Sequence, residues 1–230
     1  MKLGLALVLA ALVAAAPAHA ARSGRILATG DSMIQVVDGF LAQKVKGERF
    51  RVRSDAHIGT GISKPFLLDW PRHAARLARR YRPTASVVFL GANDGFPLRW
   101  DGKRRQCCGR AWRKAYAARA QRTMRSLERG GAARVYWLTL PAPRPRMWRR
   151  VYASVNLALR TAARRERGNG VRLVDLARVF TPSGRFQQTI ARGGRRVSVR
   201  QPDGIHLNVA GARIAARVVV RRMRADKLFR

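Results

Sequence analysis

The stretch "LATGDSMIQ", residues 27–35, passes from an apolar run through Gly-Asp-Ser directly into a helix-like pattern. Ser and Asp at such a junction are ordinary helix caps, accepting hydrogen bonds from free backbone N–H groups. The same junction also suits a nucleophile: a serine where a strand meets a helix has its hydroxyl near the positive end of the helix dipole. The tripeptide alone does not separate these readings.

Outward from it, strand and helix patterns alternate. "RILATG" (25–30) reads as a short buried strand and "MIQVVDGFLAQKV" (33–45) as an amphipathic helix, with Ile34, Val37, Phe40 or Leu41, and Val45 near one face. "RFRVRSDA" (49–56) alternates as a strand, and Pro71 opens a helix that runs to about Arg82. "ASVVFLG" (85–91) is β-branched and apolar, as a central strand is. An Arg/Ala-rich helix over 111–129 stops at Gly130-Gly131. "RVYWLTL" (134–140) and "VRLVDL" (171–176) supply two more strands, with a helix over about 147–166 between them. "RFQQTI" and "RVSVR" (185–190, 196–200) flank "ARGG" as a hairpin, and a last helix covers about 208–224. Five strands separated by helices predict one α/β domain whose parallel sheet is covered on both faces. Ligands of such sheets bind at the carboxyl ends of the strands. That rim gathers three loops: Gly30–Ser32, His57–Ser63 and Gly91–Asp94.

The amino terminus reads as an address. Lys2 precedes "LGLALVLAALVAAA", Pro17 and the small-residue "AHA" at 18–20, which is the layout of a secretory signal peptide over 1–20. The run is shorter than the about 20 apolar residues of a membrane span. Residues 21–230 are then the mature domain, periplasmic or secreted, with no transmembrane segment after cleavage. The chain carries 48 Lys and Arg against 12 Asp and Glu, a formal charge of +36. That excess has two readings: an Arg/Ala-rich compositional bias, or attraction to an anionic partner such as charged lipid head groups or an acidic envelope polymer. Export and the lack of a binding motif argue against nucleic acid.

Cys107 and Cys108 are the only cysteines and are adjacent. Cα atoms across a trans peptide lie about 3.8 Å apart, closer than the usual disulfide span. A bond between the two is one alternative beside free thiols and an intermolecular bridge; a disulfide framework is excluded. Scattered histidines and the lack of H-E-x-x-H predict no metal, and no dinucleotide fingerprint implies a cofactor.

A serine nucleophile needs a base. Of the histidines beyond residue 20, His73 falls inside a helix, His57 lies on the rim loop, and His206 lies in "QPDGIHLN" three residues after Asp203. A short turn folds that carboxylate onto the imidazole, where it fixes the tautomer and stabilises the cation. The same hexad also serves as a polar turn capping the last helix. Asn93 in "FLGANDGF" has a side-chain N–H₂ suited to an oxyanion or to a cap, and Gly59 and Gly61 in "HIGTGIS" supply a backbone N–H or only an unusual turn. Nucleophile, base, orienter and donors on one rim are what acyl transfer requires. Phe66, Trp70, Phe96 and Trp100 follow these loops, as pocket walls or as plugs onto the core. "PLRWDGKRRQCCGRAW" (97–112) reads as an irregular loop, a candidate lid or polymer-binding segment.

"GDS", the glycine after the second strand, "GAND" and "DGIH", in this order over residues 30–206, resemble the sequence blocks of the SGNH hydrolases, the GDSL-type esterases and acyltransferases. "TGIS" with "DWP" and "GANDG" is similar to an exported branch of that superfamily. The resemblance implies a flavodoxin-like three-layer α/β/α fold with strand order 2-1-3-4-5. By position it implies Ser32 as nucleophile and first oxyanion donor, Gly61 as second donor with Gly59 as fallback, Asn93 as third, His206 as base and Asp203 as its orienter. Asp31 and Asp94 then fix their loops. The substrate implied is an acylated glycan or small ester.

Overall fold

A computed structural model describes residues 24–166, 168 and 170–229. The expected signal peptide lies outside the described residues. The elements are β1 (Gly24–Gly30), α1 (Val37–Val45), β2 (Phe50–Ala56), α2 (Trp70–Tyr81), β3 (Ala85–Phe89), β4 (Leu98–Trp100), β5 (Lys103–Arg105), α3 (Arg110–Glu128), β6 (Arg134–Leu138), α4 (Arg146–Arg165), β7 (Val171–Val174), α5 (Leu176–Phe180), β8 (Thr189–Arg192), β9 (Arg195–Ser198) and α6 (Val209–Ala225).

β2, β1, β3, β6 and β7 form one parallel sheet in that order. Counted along the five main strands it is the expected 2-1-3-4-5. The apolar run of β3 is buried at every residue, as a central strand covered on both faces must be, whereas edge strand β2 alternates. α1 packs on α6; α2 packs on α3 and α3 on α4. The sheet is thus the middle of three layers. Gly30 is level with Ala56 of β2 and Phe89 of β3. This register ends three neighbouring strands at one edge and releases the three loops together.

The helix expected from residue 33 starts at Val37. The side chain of Asp31 takes the Met33 N–H (2.9 Å), and Val36 has a left-handed φ of 67°, so residues 31–36 turn before the helix begins. Ile34, Val37, Leu41 and Val45 are buried as their spacing predicts. α2 has Asp69 as cap, its carboxylate accepting the Arg72 N–H, with Pro71 in the first turn. The strand expected over 171–176 stops at Val174, because Asp175 caps the short α5 through the Arg178 N–H.

Residues 97–112 are not irregular. β4 and β5 form an antiparallel hairpin turned by Asp101 and Gly102, both with positive φ (49° and 69°). Asp-Gly is suited to that two-residue turn. Cys107 and Cys108 are joined to each other by a disulfide, across a cis peptide bond, between this hairpin and α3. β8 and β9 form the one hairpin that was expected, with Gly193-Gly194 at its tip.

Candidate active site

Ser32, in the turn that follows β1, is partly exposed, and its Oγ lies 2.8 Å from His206 Nε2. On the other side of the ring, His206 Nδ1 lies 2.6 Å from Asp203 Oδ2. The turn expected from "DGIHLN" forms: Asp203 Oδ1 accepts the backbone N–H groups of Ile205 (2.8 Å) and His206 (3.0 Å). Burial alone would raise the Asp203 carboxyl; bonds from the His206 ring and these two N–H groups outweigh it and hold it below its ordinary value. An ionised carboxylate there fixes a proton on Nδ1 and leaves Nε2 as the acceptor facing Ser32.

The turn is held from behind by Arg200, a buried arginine whose Nη1 donates to the Ile205 carbonyl (2.7 Å) and whose Nη2 donates to the Ala142 carbonyl. It ties the His206 segment to the loop after β6. Sequence reasoning missed it, since one arginine among so many carries no local mark. Burial lowers its pKa to about 10, so it stays charged at neutral pH.

His57 and His73, the other histidines considered, do not meet Ser32. Both face Asp55 at the end of β2, with Nε2 to Oδ2 distances of 3.3 and 2.8 Å. Burial raises the Asp55 carboxyl, and hydrogen bonds from His73 and Thr29 outweigh that and lower it. Spacing along the chain gave no hint of this trio, whose ligand-type atoms lie within 4.8 Å of one another. Arg76 Nη2 lies 3.2 Å from His73 Nδ1 and donates there. The trio ties β2 to α2.

Asp31 and Asp94 anchor the rim. Asp31 is fully buried; besides the Met33 N–H its carboxylate accepts those of Gly91 (2.8 Å) and Ala92 (2.9 Å), which joins the serine turn to the loop after β3. Burial pushes its pKa up to about 6 against these bonds. The folded state thus holds the proton to higher pH than the unfolded chain, where the carboxyl titrates near 3.8. The stability it contributes is full below that value and declines as pH rises to about 6. At roughly 1.4 kcal/mol per unit the decline is on the order of 3 kcal/mol. Urea unfolding at pH 4 and pH 7 is expected to show that loss in the wild type relative to Asp31→Asn; a constant difference between the two would refute it.

Asp94 is also fully buried, which raises its carboxyl, and it accepts the Ser63 N–H (2.5 Å) and the Tyr116 hydroxyl (2.6 Å). In return Ser63 Oγ accepts the N–H groups of Gly95 (3.2 Å) and Phe96 (3.1 Å). A Cβ on Gly61 would sit 2.7 Å from Asp94 Oδ1, so the close approach of the two loops requires glycine there. Gly59 has open space around it and a φ of +75°, which its turn requires. Asn93 Nδ2 donates to the Thr60 carbonyl (3.2 Å), the other end of the peptide that carries the Gly61 N–H. That bond uses one of the two amide protons of Asn93 and leaves the second. Among the described residues, the N–H groups of Ser32 and Gly61 donate to no protein acceptor. Tyr116, in α3, was not legible as a site residue. Its loss as Tyr116→Phe leaves a buried carboxylate one donor short and is expected to cost about 1–3 kcal/mol, read from the urea midpoint.

Of the four aromatics, Trp70 is buried in the core and Trp100 packs against it, whereas Phe66 and Phe96 face outward with ring centroids 5.9 Å apart. Phe96 also lines an apolar hollow of about 280 Å³ with Pro97, Met147, Trp148 and Val151.

This three-layer sheet is the fold that the sequence resemblance implied, and solved structures superpose on it. The C-terminal catalytic domain of peptidoglycan O-acetyltransferase A (OatA) from Streptococcus pneumoniae is similar at a TM-score of 0.57 and 14% identity, covering 89% of this chain and 95% of that one. An acetyl xylan esterase from Geobacillus stearothermophilus gives 0.55 and 17%, covering 86% and 93%. A member of the lipolytic G-D-S-L family from Veillonella parvula gives 0.52 and 14%, covering 86% and 96%. By sequence the chain belongs to the family described as "Protein of unknown function (DUF459)", whose model matches residues 25–222. A comparison with curated proteins found no match.

Proposed function

We propose that the protein is an exported serine esterase that removes O-acyl groups, acetyl foremost, from a cell-envelope glycan through an acyl-serine intermediate. The observation that carries this reading is the Ser32–His206–Asp203 chain of contacts at 2.8 and 2.6 Å. His206 Nε2 takes the Ser32 proton as Oγ attacks the ester carbonyl carbon. The carbonyl oxygen becomes an oxyanion facing the N–H groups of Ser32 and Gly61 and the remaining amide proton of Asn93. As the carbonyl re-forms, the C–O bond to the alcohol breaks and His206 returns the proton to the departing oxygen. Water, deprotonated by His206, then attacks the acyl-serine and frees the acid and Ser32.

Two of the similar structures are named for enzymes of acetylated or acetylating glycan chemistry, which supports the choice of substrate class. The likeness to a peptidoglycan O-acetyltransferase favours a second reading, in which a sugar hydroxyl takes the place of water. Incubation with an acetyl donor and oligosaccharides separates the two by whether acetate or acetylated sugar accumulates. Export rests on the residue pattern of 1–20. No described helix is long and apolar enough to cross a membrane. Of the two readings of the charge, attraction to an anionic partner is supported by a groove of about 450 Å³ lined by Lys44, Arg192, Arg213, Arg217, Arg221 and Arg224, between α1 and α6.

A further inference from the structure

Eight large hydrophobic side chains are exposed among the described residues, and they are not scattered. Val36 follows β1; Ile58, Phe66 and Leu67 follow β2; Phe96 follows β3; Met147 follows β6; Val209 stands three residues from His206. Only Leu157, in the body of α4, lies elsewhere. Parallel strands release all such loops at one edge, so these side chains gather as a collar at the edge of the sheet that carries Ser32. Exposure is high: 68% at Ile58, 69% at Phe66 and 77% at Met147. Large apolar side chains exposed together at one edge, with Phe66 and Phe96 in ring contact, mark a docking face rather than ordinary solvated surface.

The chemistry of the collar selects its partner. Val36, Ile58, Leu67, Met147 and Val209 are aliphatic or thioether chains suited to hydrocarbon. Cations interleave with them: Lys64 Nζ sits 4.8 Å over the Phe96 ring, and the exposed Arg144, Arg146 and Arg149 flank Met147. Apolar side chains set among Lys and Arg are how a protein lies on an anionic bilayer, the former entering the acyl boundary and the latter meeting the head groups. The net charge of +36 draws the molecule to such a surface from a distance.

We infer that the collar is a lipid-docking surface, which seats the open edge of the sheet on an anionic bilayer and turns Ser32 toward the membrane interface. That the ester is then taken at the interface rests on the esterase reading above; the docking does not.

A fluorescent nitrobenzoxadiazole label on Met147→Cys, in the full chain, reports the contact directly, because the native cysteines are bonded to each other. Its emission is expected to rise at least threefold and shift to the blue on phosphatidylglycerol vesicles, and to stay flat on phosphatidylcholine vesicles and on soluble polygalacturonate. The same label on Leu157→Cys should not respond. In that labelled background Phe66→Ser with Leu67→Ser should raise the lipid concentration at half-response about tenfold, and Ser32→Ala should leave it unchanged. A silent Met147 label, equal responses at both positions, an unaltered half-response in the double variant, or an equal response to polygalacturonate overturns the docking. A chain that docks but fails to hydrolyse dissolved p-nitrophenyl acetate instead overturns the esterase reading and leaves the docking standing.

Discussion

Ser32→Ala is expected to lower kcat toward a short soluble ester by about 10⁴-fold or more, to the level set by binding and oxyanion donors alone. The magnitude follows from the mechanism: without Oγ there is no acyl-enzyme, and His206 faces only solvent. The fold should be indifferent, since Ser32 is partly exposed and, among the described residues, its side chain is partnered by the imidazole alone, at 2.8 Å. A serine-reactive fluorophosphonate should label the wild type and not the variant, with unfolding midpoints alike. Full labelling of Ser32→Ala, or turnover within tenfold of the wild type, would end the assignment of this serine as nucleophile. It would leave the attraction of the +36 charge to an anionic partner as the better reading of the chain.

The second large effect is expected at Asn93. Removing one oxyanion donor typically costs about 10²–10³ in turnover. Asn93→Ala should therefore lower kcat by that factor with KM changed little, because the donor acts on charge that develops only during attack. The same amide holds the Thr60 carbonyl at 3.2 Å, so a structural role is open as well. A merely structural loss would shift the unfolding midpoint and KM together. Unchanged kcat in a folded Asn93→Ala would remove the residue from the oxyanion site.

The sequence carried the fold where the signal was local and periodic. β3 was legible as a central strand because a mostly apolar run with β-branched valines suits a position covered on both faces, and β8–β9 because two glycines sit where its turn needs positive φ. The same logic applied to Asp101-Gly102 would have found β4–β5; the surrounding arginines hid that hairpin by breaking the alternation. The start of α1 was misplaced because Asp31 captures the Met33 N–H with its side chain, a choice that depends on its being buried against the Gly91 loop. The residues expected on the rim do come together there. What supports them from behind was not legible: Tyr116 reaches Asp94 from 22 positions away, and Arg200 reaches Ala142 from 58. Such contacts have no period or motif, only a meeting imposed by the sheet.

The reciprocal bonds between Ser63 and residues 94–96, with Gly61 lying against the Asp94 carboxylate, bear on how the protein could be re-engineered. Segments 60–63 and 93–96 behave as a single interlocked part, so a chimera that imports one from a relative without the other inherits mismatched halves. Recombination of specificity in this scaffold should succeed with crossovers placed in β2 and α3, where the pair travels together with Tyr116, and fail with crossovers in β3, which cut between them.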